Sequence, residues 1–194
     1  MHSLRVMKSS HLFLILTLLL NFSCGDKKDS SNPPVPEVST PESSPQSETK
    51  DPLKVVKLAS PSGEMIEASI AYTSQDQQKG LQNVKEEDFG DNEGKLFFYL
   101  KTSPRTFWMP NTYFNLDIFY LDENLKIIDI VWNLEHYTGD VNSEIPRAPT
   151  IASRHVLEMK NGSPISSKLR IGDHLGWNSP LSLLQTELKI RQQL

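Results

Sequence analysis

Phe114-Asn115-Leu116-Asp117-Ile118-Phe119-Tyr120-Leu121-Asp122-Glu123-Asn124-Leu125-Lys126-Ile127-Ile128-Asp129-Ile130-Val131-Trp132 reads as two strands and the turn between them. Apolar, β-branched and aromatic residues prevail from Phe114 to Leu121 and again from Leu125 to Trp132, and Asp122-Glu123-Asn124 supplies the turn. Alternation along the first strand sends Asp117, Phe119 and Leu121 to one face and Leu116, Ile118 and Tyr120 to the other. A carboxylate in such a run is expensive to bury unless its oxygens are paired, so Asp117 calls for donors, expected from Asn111, Thr112 or Arg105.

Working outward, Leu53 to Ala59 reads as a strand, Pro61-Ser62-Gly63 as a turn, and Ile66, Ala68, Ile70 and Tyr72 as one face of a second strand, which makes a hairpin. Ser74 followed by Gln77 is a capping-box pattern for a short helix that stops near Gly80. Lys95 to Leu100 is another strand. Downstream, the polar stretch after Trp132, with Gly139, Pro146 and Pro149, reads as a long functional loop. His155 to Met159 is extended, Asn161-Gly162 turns it, and a last short strand is expected at His174 to Trp177. Ser179-Pro180 looks like a helix start, and Leu181, Leu184 and Leu188 recur at helical spacing as a face for docking. The fold class is therefore mostly β (α+β): a compact, barrel-like antiparallel sheet with one short helix and a C-terminal amphipathic helix.

Between the third and fourth strands lies Arg105-Thr106-Phe107-Trp108-Met109-Pro110-Asn111-Thr112, followed by the Leu116-Asp117 strand. With Lys79-Gly80-Leu81, Gly94-Lys95-Leu96-Phe97, Val156-Leu157-Glu158, Asn161-Gly162 and Gly172-Asp173, this block resembles the DUF192 (uncharacterised ACR) family over about residues 53 to 177. The resemblance implies a compact, mostly β domain of the kind found in bacterial envelope and archaeal proteins. It implies no reaction. The chain departs from the pattern at Gln82, Asn83 and Val84, where methionine and arginine are usual, and at Lys95, where methionine is usual.

The block suggests where a ligand could sit. Trp108 offers a flat apolar surface and Asn111 an amide that both donates and accepts, ingredients of a site for a sugar or small polar ligand that Arg105, Thr112, Asp117 and Glu158 could complete. The competing structural reading has Trp108 plugging the barrel and Asn111 pinning the turn after Pro110. Asp117 and Glu158 are the weak catalytic candidates: two half-buried carboxylates form either a general acid/base pair, as in a glycoside hydrolase, or two loop anchors that bind backbone N–H groups. His136, His155 and His174 lack the close spacing of metal ligands, so no metal or other cofactor is expected. No G-x-S-x-G elbow, Walker loop or dinucleotide fingerprint occurs.

The N-terminal quarter carries an address. Arg5 and Lys8 precede the apolar run Leu12 to Leu20, interrupted only by Thr17. A spanning helix needs roughly 17 to 25 apolar residues, so residues 1–23 read as a signal peptide. The single cysteine, Cys24, follows Asn21-Phe22-Ser23 in a segment that resembles a bacterial lipoprotein box, although Asn21 occupies the usual leucine position. Acylation of Cys24 would leave no free thiol and exclude disulfides, thiolate catalysis and cysteine zinc sites. Residues 24–52 then form a tether whose stretch after Cys24 holds six prolines, six serines and only two valines as apolar content, too little to order a core. Residues 53–177 are the domain and 178–194 the terminal helix.

Loss of residues 1–23 leaves 18 basic against 24 acidic residues, a net charge of −6. Such a balance argues against nucleic acid as a partner. Three functions follow as expectations for a domain lipid-anchored in the bacterial cell envelope, on its periplasmic face or outer surface. The first is binding of an envelope ligand or protein through the Trp108/Asn111 loop. The second is hydrolysis of envelope or exported material by Asp117 and Glu158. The third is a scaffold or assembly role, and binding is preferred to catalysis.

Overall fold

Turn chemistry between Ser60 and Glu64 builds the first hairpin, in which β1 (Val55–Ala59) pairs antiparallel with β2 (Met65–Ala71) and Ile66, Ala68 and Ile70 turn inward. This is a computed structural model describing residues 53–194; the expected signal peptide, Cys24 and the expected tether lie outside the described residues. From β2 the chain crosses one face of the sheet through α1 (Ser74–Lys79) and enters β3 (Glu93–Arg105) parallel to β2, with Ser69 opposite Lys95. The long β6 (Ile151–Lys160) lies antiparallel between β3 and β4 (Leu116–Leu121), β5 (Ile127–Leu134) forms the outer edge, and the two-residue β7 (Gly176–Trp177) adds to β1. The order β5-β4-β6-β3-β2-β1-β7 makes a half-barrel. The sheet is mixed rather than wholly antiparallel, because the α1 crossover returns the chain in the same direction.

Every residue of β4 is buried, and its alternation divides two cores. Phe119 and Leu121 join Leu96, Phe98, Leu157 and Met159 on one face, closed by the terminal helix α2 (Leu183–Gln193) through Ile190. Leu116, Ile118 and Tyr120 join Phe97, Phe107, Met109 and Val156 on the other, closed by Leu81 and Phe89 after α1. The α2 helix starts three residues later than expected. Its N-cap is Ser182, in a capping box with Gln185, while the Ser179 hydroxyl accepts from Lys57 N of β1 at 2.7 Å. The docking face also differs: Thr186 and Ile190 are buried, whereas Leu184 and Leu188 point outward.

Candidate functional site

Asp117 is fully buried among apolar neighbours and acts as an anchor. Its Oδ1 accepts from Asn133 N at 2.9 Å and Asn161 Nδ2 at 2.7 Å, and Oδ2 accepts from Gly162 N at 3.2 Å. It thereby ties the end of β5, where Asn133 stands at φ 52°, to the turn that ends β6. The donors expected from Arg105, Asn111 and Thr112 are not used. Asp117 sits opposite Met159 of one core and Glu158 sits opposite Ile118 of the other, so the two carboxylates face opposite sides of the sheet. The shared cleft that a hydrolytic pair requires is not formed.

The Phe107 to Thr112 block is clamped by the long loop. Ala148 N donates to Phe107 O, Met109 N to Pro146 O, and Thr112 and Tyr137 exchange both backbone bonds at 3.1 Å. Phe107 packs edge-on against Phe97 at 4.7 Å, and Met109 is buried beneath it. Alternation turns Trp108 outward, 43% exposed, with the Arg147 guanidinium 4.9 Å over its ring. Trp108 is therefore no core plug. Asn111 is exposed at φ 49°, a conformation asparagine tolerates better than most residues, and its carbonyl accepts from Asn83 N. Thr112 is buried and donates to Pro110 O. Arg105 is engaged elsewhere: its guanidinium stacks 3.1 Å over Tyr99 and donates to Lys101 O.

A different pair of residues converges. Lys95 on β3 and Glu158 on β6 are cross-strand partners on the face that α1 covers. Gly80 ends α1 at φ 49° with its Cα held close to Phe97, and the Lys79-Gly80-Leu81 turn it makes borders two concavities. A cleft of about 320 Å³ opens over Ser69, Asp76 and Lys95. A hollow of about 30 Å³ lies on the other side, lined by Gln77, Phe97, Trp108, Thr112 and Glu158. Glu158 is 4% exposed and its Oε2 has no hydrogen-bond partner among the described residues. Burial pushes its carboxyl up to about 8, against the pull of the Lys95 ammonium. Burial likewise lowers the Lys95 pKa, opposed by Asp76 and Glu158. Burial thus favours the protonated, hydrogen-bond-donating form of Glu158 beside the half-buried Lys95.

His155 is a core histidine. Its Nδ1 accepts from Tyr99 N at 3.3 Å, its ring lies 4.3 Å from Phe98, and burial first, then Arg154 and Arg105, push its pKa down to about 3. Among the described residues no three histidine, cysteine, aspartate or glutamate side chains converge on a common point that could hold a metal ion.

The sequence profile of the DUF192 family, uncharacterized ACR, matches residues 56–177, more than half of the chain. The chain belongs to this family. Two solved structures are similar to this DUF192 chain. A candidate transcription regulator from Sinorhizobium meliloti 1021 is 25% identical, with a TM-score of 0.50, over 63% of this chain and 92% of the other. A protein of unknown function from Novosphingobium aromaticivorans DSM 12444 is 28% identical, with a TM-score of 0.51, over 63% of this chain and 84% of the other. No curated protein matches the chain.

Within this DUF192 domain, sequence reasoning singled out Glu158 and Trp108, both of which line the hollow, and passed over Lys95, which lines the cleft. Lys95 stands out only as a departure from the family pattern. Its signal is an ammonium at an inward-facing position of an apolar strand, in register with a carboxylate of another such strand.

Proposed function

We propose that this chain is a lipid-anchored binding domain of the bacterial envelope whose ligand enters the cleft over Lys95, with Trp108 walling the adjoining hollow. One observation carries the reading. Lys95 and Glu158 are neighbours on adjacent strands, turned to one covered face, and the buried Glu158 Oε2 has no hydrogen-bond partner among the described residues. A buried polar group left unpaired costs roughly 1–3 kcal/mol, and folded proteins retain few of them. Ionisable groups displaced from their ordinary pKa in a cleft mark functional sites. A hydrolytic reading lacks its second carboxylate, since Asp117 faces away and already accepts from three protein donors. From the Trp108/Asn111 loop, Trp108 and Thr112 line the hollow and Asn111 does not. The anchor rests on Cys24 and the segment before it.

The test exposes full-length chain to a low-molecular-mass extract of bacterial envelopes, removes unbound solutes and identifies heat-released molecules by mass spectrometry. Wild-type chain is expected to retain a compound that Ser69→Trp, which fills the cleft, does not. Equal retention by both proteins contradicts the reading. A second reading, a scaffold, draws on Leu184 and Leu188, which are 67% and 51% exposed one turn apart on α2. It predicts a protein partner that is crosslinked in intact envelopes and lost in a Leu184→Glu/Leu188→Glu variant.

A further inference from the structure

The charges around the cleft restrict what can bind there. Lys95 stands on its floor as a half-buried ammonium that can only donate, so the group placed against it must be a hydrogen-bond acceptor, and an anionic one suits it best. The walls are acidic: Glu67, Asp76, Asp88 and Glu93 stand against a second cation, Lys79, and Asp76 is the strongest charged influence on Lys95. Two of these carboxylates have known commitments on one oxygen only, Asp76 Oδ2 accepting from the Thr73 hydroxyl at 2.6 Å and Glu93 Oε2 from Gly90 N at 3.2 Å. A simple anion drawn to Lys95 meets Asp76, Asp88 and Glu93 at the walls, beside Glu67, which is paired with Lys57 at 3.6 Å. A simple cation drawn to the walls meets Lys95 on the floor. A molecule carrying both charges a few ångströms apart satisfies both.

We infer that the cleft takes a small zwitterion of the amino-acid or dipeptide class, its carboxylate on Lys95 and its ammonium between Asp76 and Glu93. The cleft volume of about 320 Å³ suits a ligand of that size and is too small for a folded partner. Glu158, the cross-strand neighbour of Lys95, lines the hollow and not the cleft, so it acts on Lys95 only through its charge and does not touch the ligand. This inference rests on the binding reading above and narrows it to one ligand chemistry.

Thermal unfolding of full-length chain is followed with glycine, L-alanine and D-alanyl-D-alanine as probes, and with acetate and methylammonium as the two half-ligands. At least one zwitterion is expected to raise the midpoint in a saturable way, with neither half-ligand doing so at equal concentration. Lys95→Met should abolish the shift. Lys126→Met, which removes an exposed cation from the turn between β4 and β5, away from the cleft, should leave it within about twofold in apparent affinity. Glu158→Gln should change the pH dependence of the shift, a readout that a purely structural role would not move. Acetate binding as well as the zwitterions, no shift with any zwitterion, or an undiminished shift in Lys95→Met overturns the inference. If the zwitterions fail while Ser69→Trp still abolishes retention from the envelope extract, the cleft remains the site and only the ligand class falls. If retention is also unaffected, both readings fall.

Discussion

At Gly80 the backbone stands at φ 49° and ψ −125°, and a Cβ there would come 3.3 Å from Phe97 Cζ. Gly80→Ala is therefore expected to cost about 1–3 kcal/mol in urea unfolding, the usual range for a side chain held in a sparsely populated backbone region. Asp117→Ala would strand three donors that now meet its carboxylate, and a loss of about 3 kcal/mol or more is expected in the same measurement. Trp108→Ala should cost no more than about 1 kcal/mol, the worth of an exposed cation–π contact with Arg147, while impairing ligand retention. An equal cost for Asp117→Ala and Trp108→Ala would refute this division of roles. That Asp117 needed partners was legible from its apolar strand. Their identity was not, because they lie 16, 44 and 45 residues away in the chain and only the pairing of β4 with β5 and β6 brings them together.

Elements were legible to the extent that their signals are local. The hairpin, the alternation of β4 and the Gly80 stop follow from neighbouring residues. Helix starts fared differently, since the α1 cap is Thr73 rather than Ser74, and Ser179 is held by Lys57 N, 122 residues away, leaving Ser182 to cap α2. The paired strands β3 and β6 carry a pH dependence as well. The Glu158 pKa is raised from 4.5 to about 8, chiefly by burial, so the fold favours its protonated form. That contribution is complete below pH 4.5 and is lost as pH rises toward 8. The His155 pKa is lowered from 6.5 to about 3, again chiefly by burial, so the fold favours the neutral ring. Its contribution is complete above pH 6.5 and is lost as pH falls toward 3. The two slopes oppose each other between pH 4.5 and 6.5, where stability should be flattest. Glu158→Gln is expected to flatten the decline between pH 6.5 and 8 in urea melts and to spare the acid side. An unchanged alkaline decline would show that Glu158 is not its source.

For the whole molecule, the mostly β class and the family followed from motifs spread along the domain, whereas the parallel β2–β3 pair did not. A crossover is specified by where α1 docks, and there Gln77 Nε2 donates to Phe98 O, 21 residues further along the chain. The same crossover creates the cleft, by laying α1 and its Gly80 turn over the face that carries Lys95 and Glu158. The proposed anchor is a separate matter, read from residues 1–52 of the sequence. Mass spectrometry of the mature N-terminus should find a diacylated or triacylated Cys24, and an unmodified thiol there would remove the anchor while leaving the domain untouched. The binding claim is tested most directly by ¹⁵N-correlated NMR of full-length chain, with the compound released from wild type added back. The amides of Gly80, Lys95 and Glu158 should shift while those of Asn133, Asn161 and Gly162 around Asp117 stay in place; the reverse pattern, or shifts confined to α2, would contradict it.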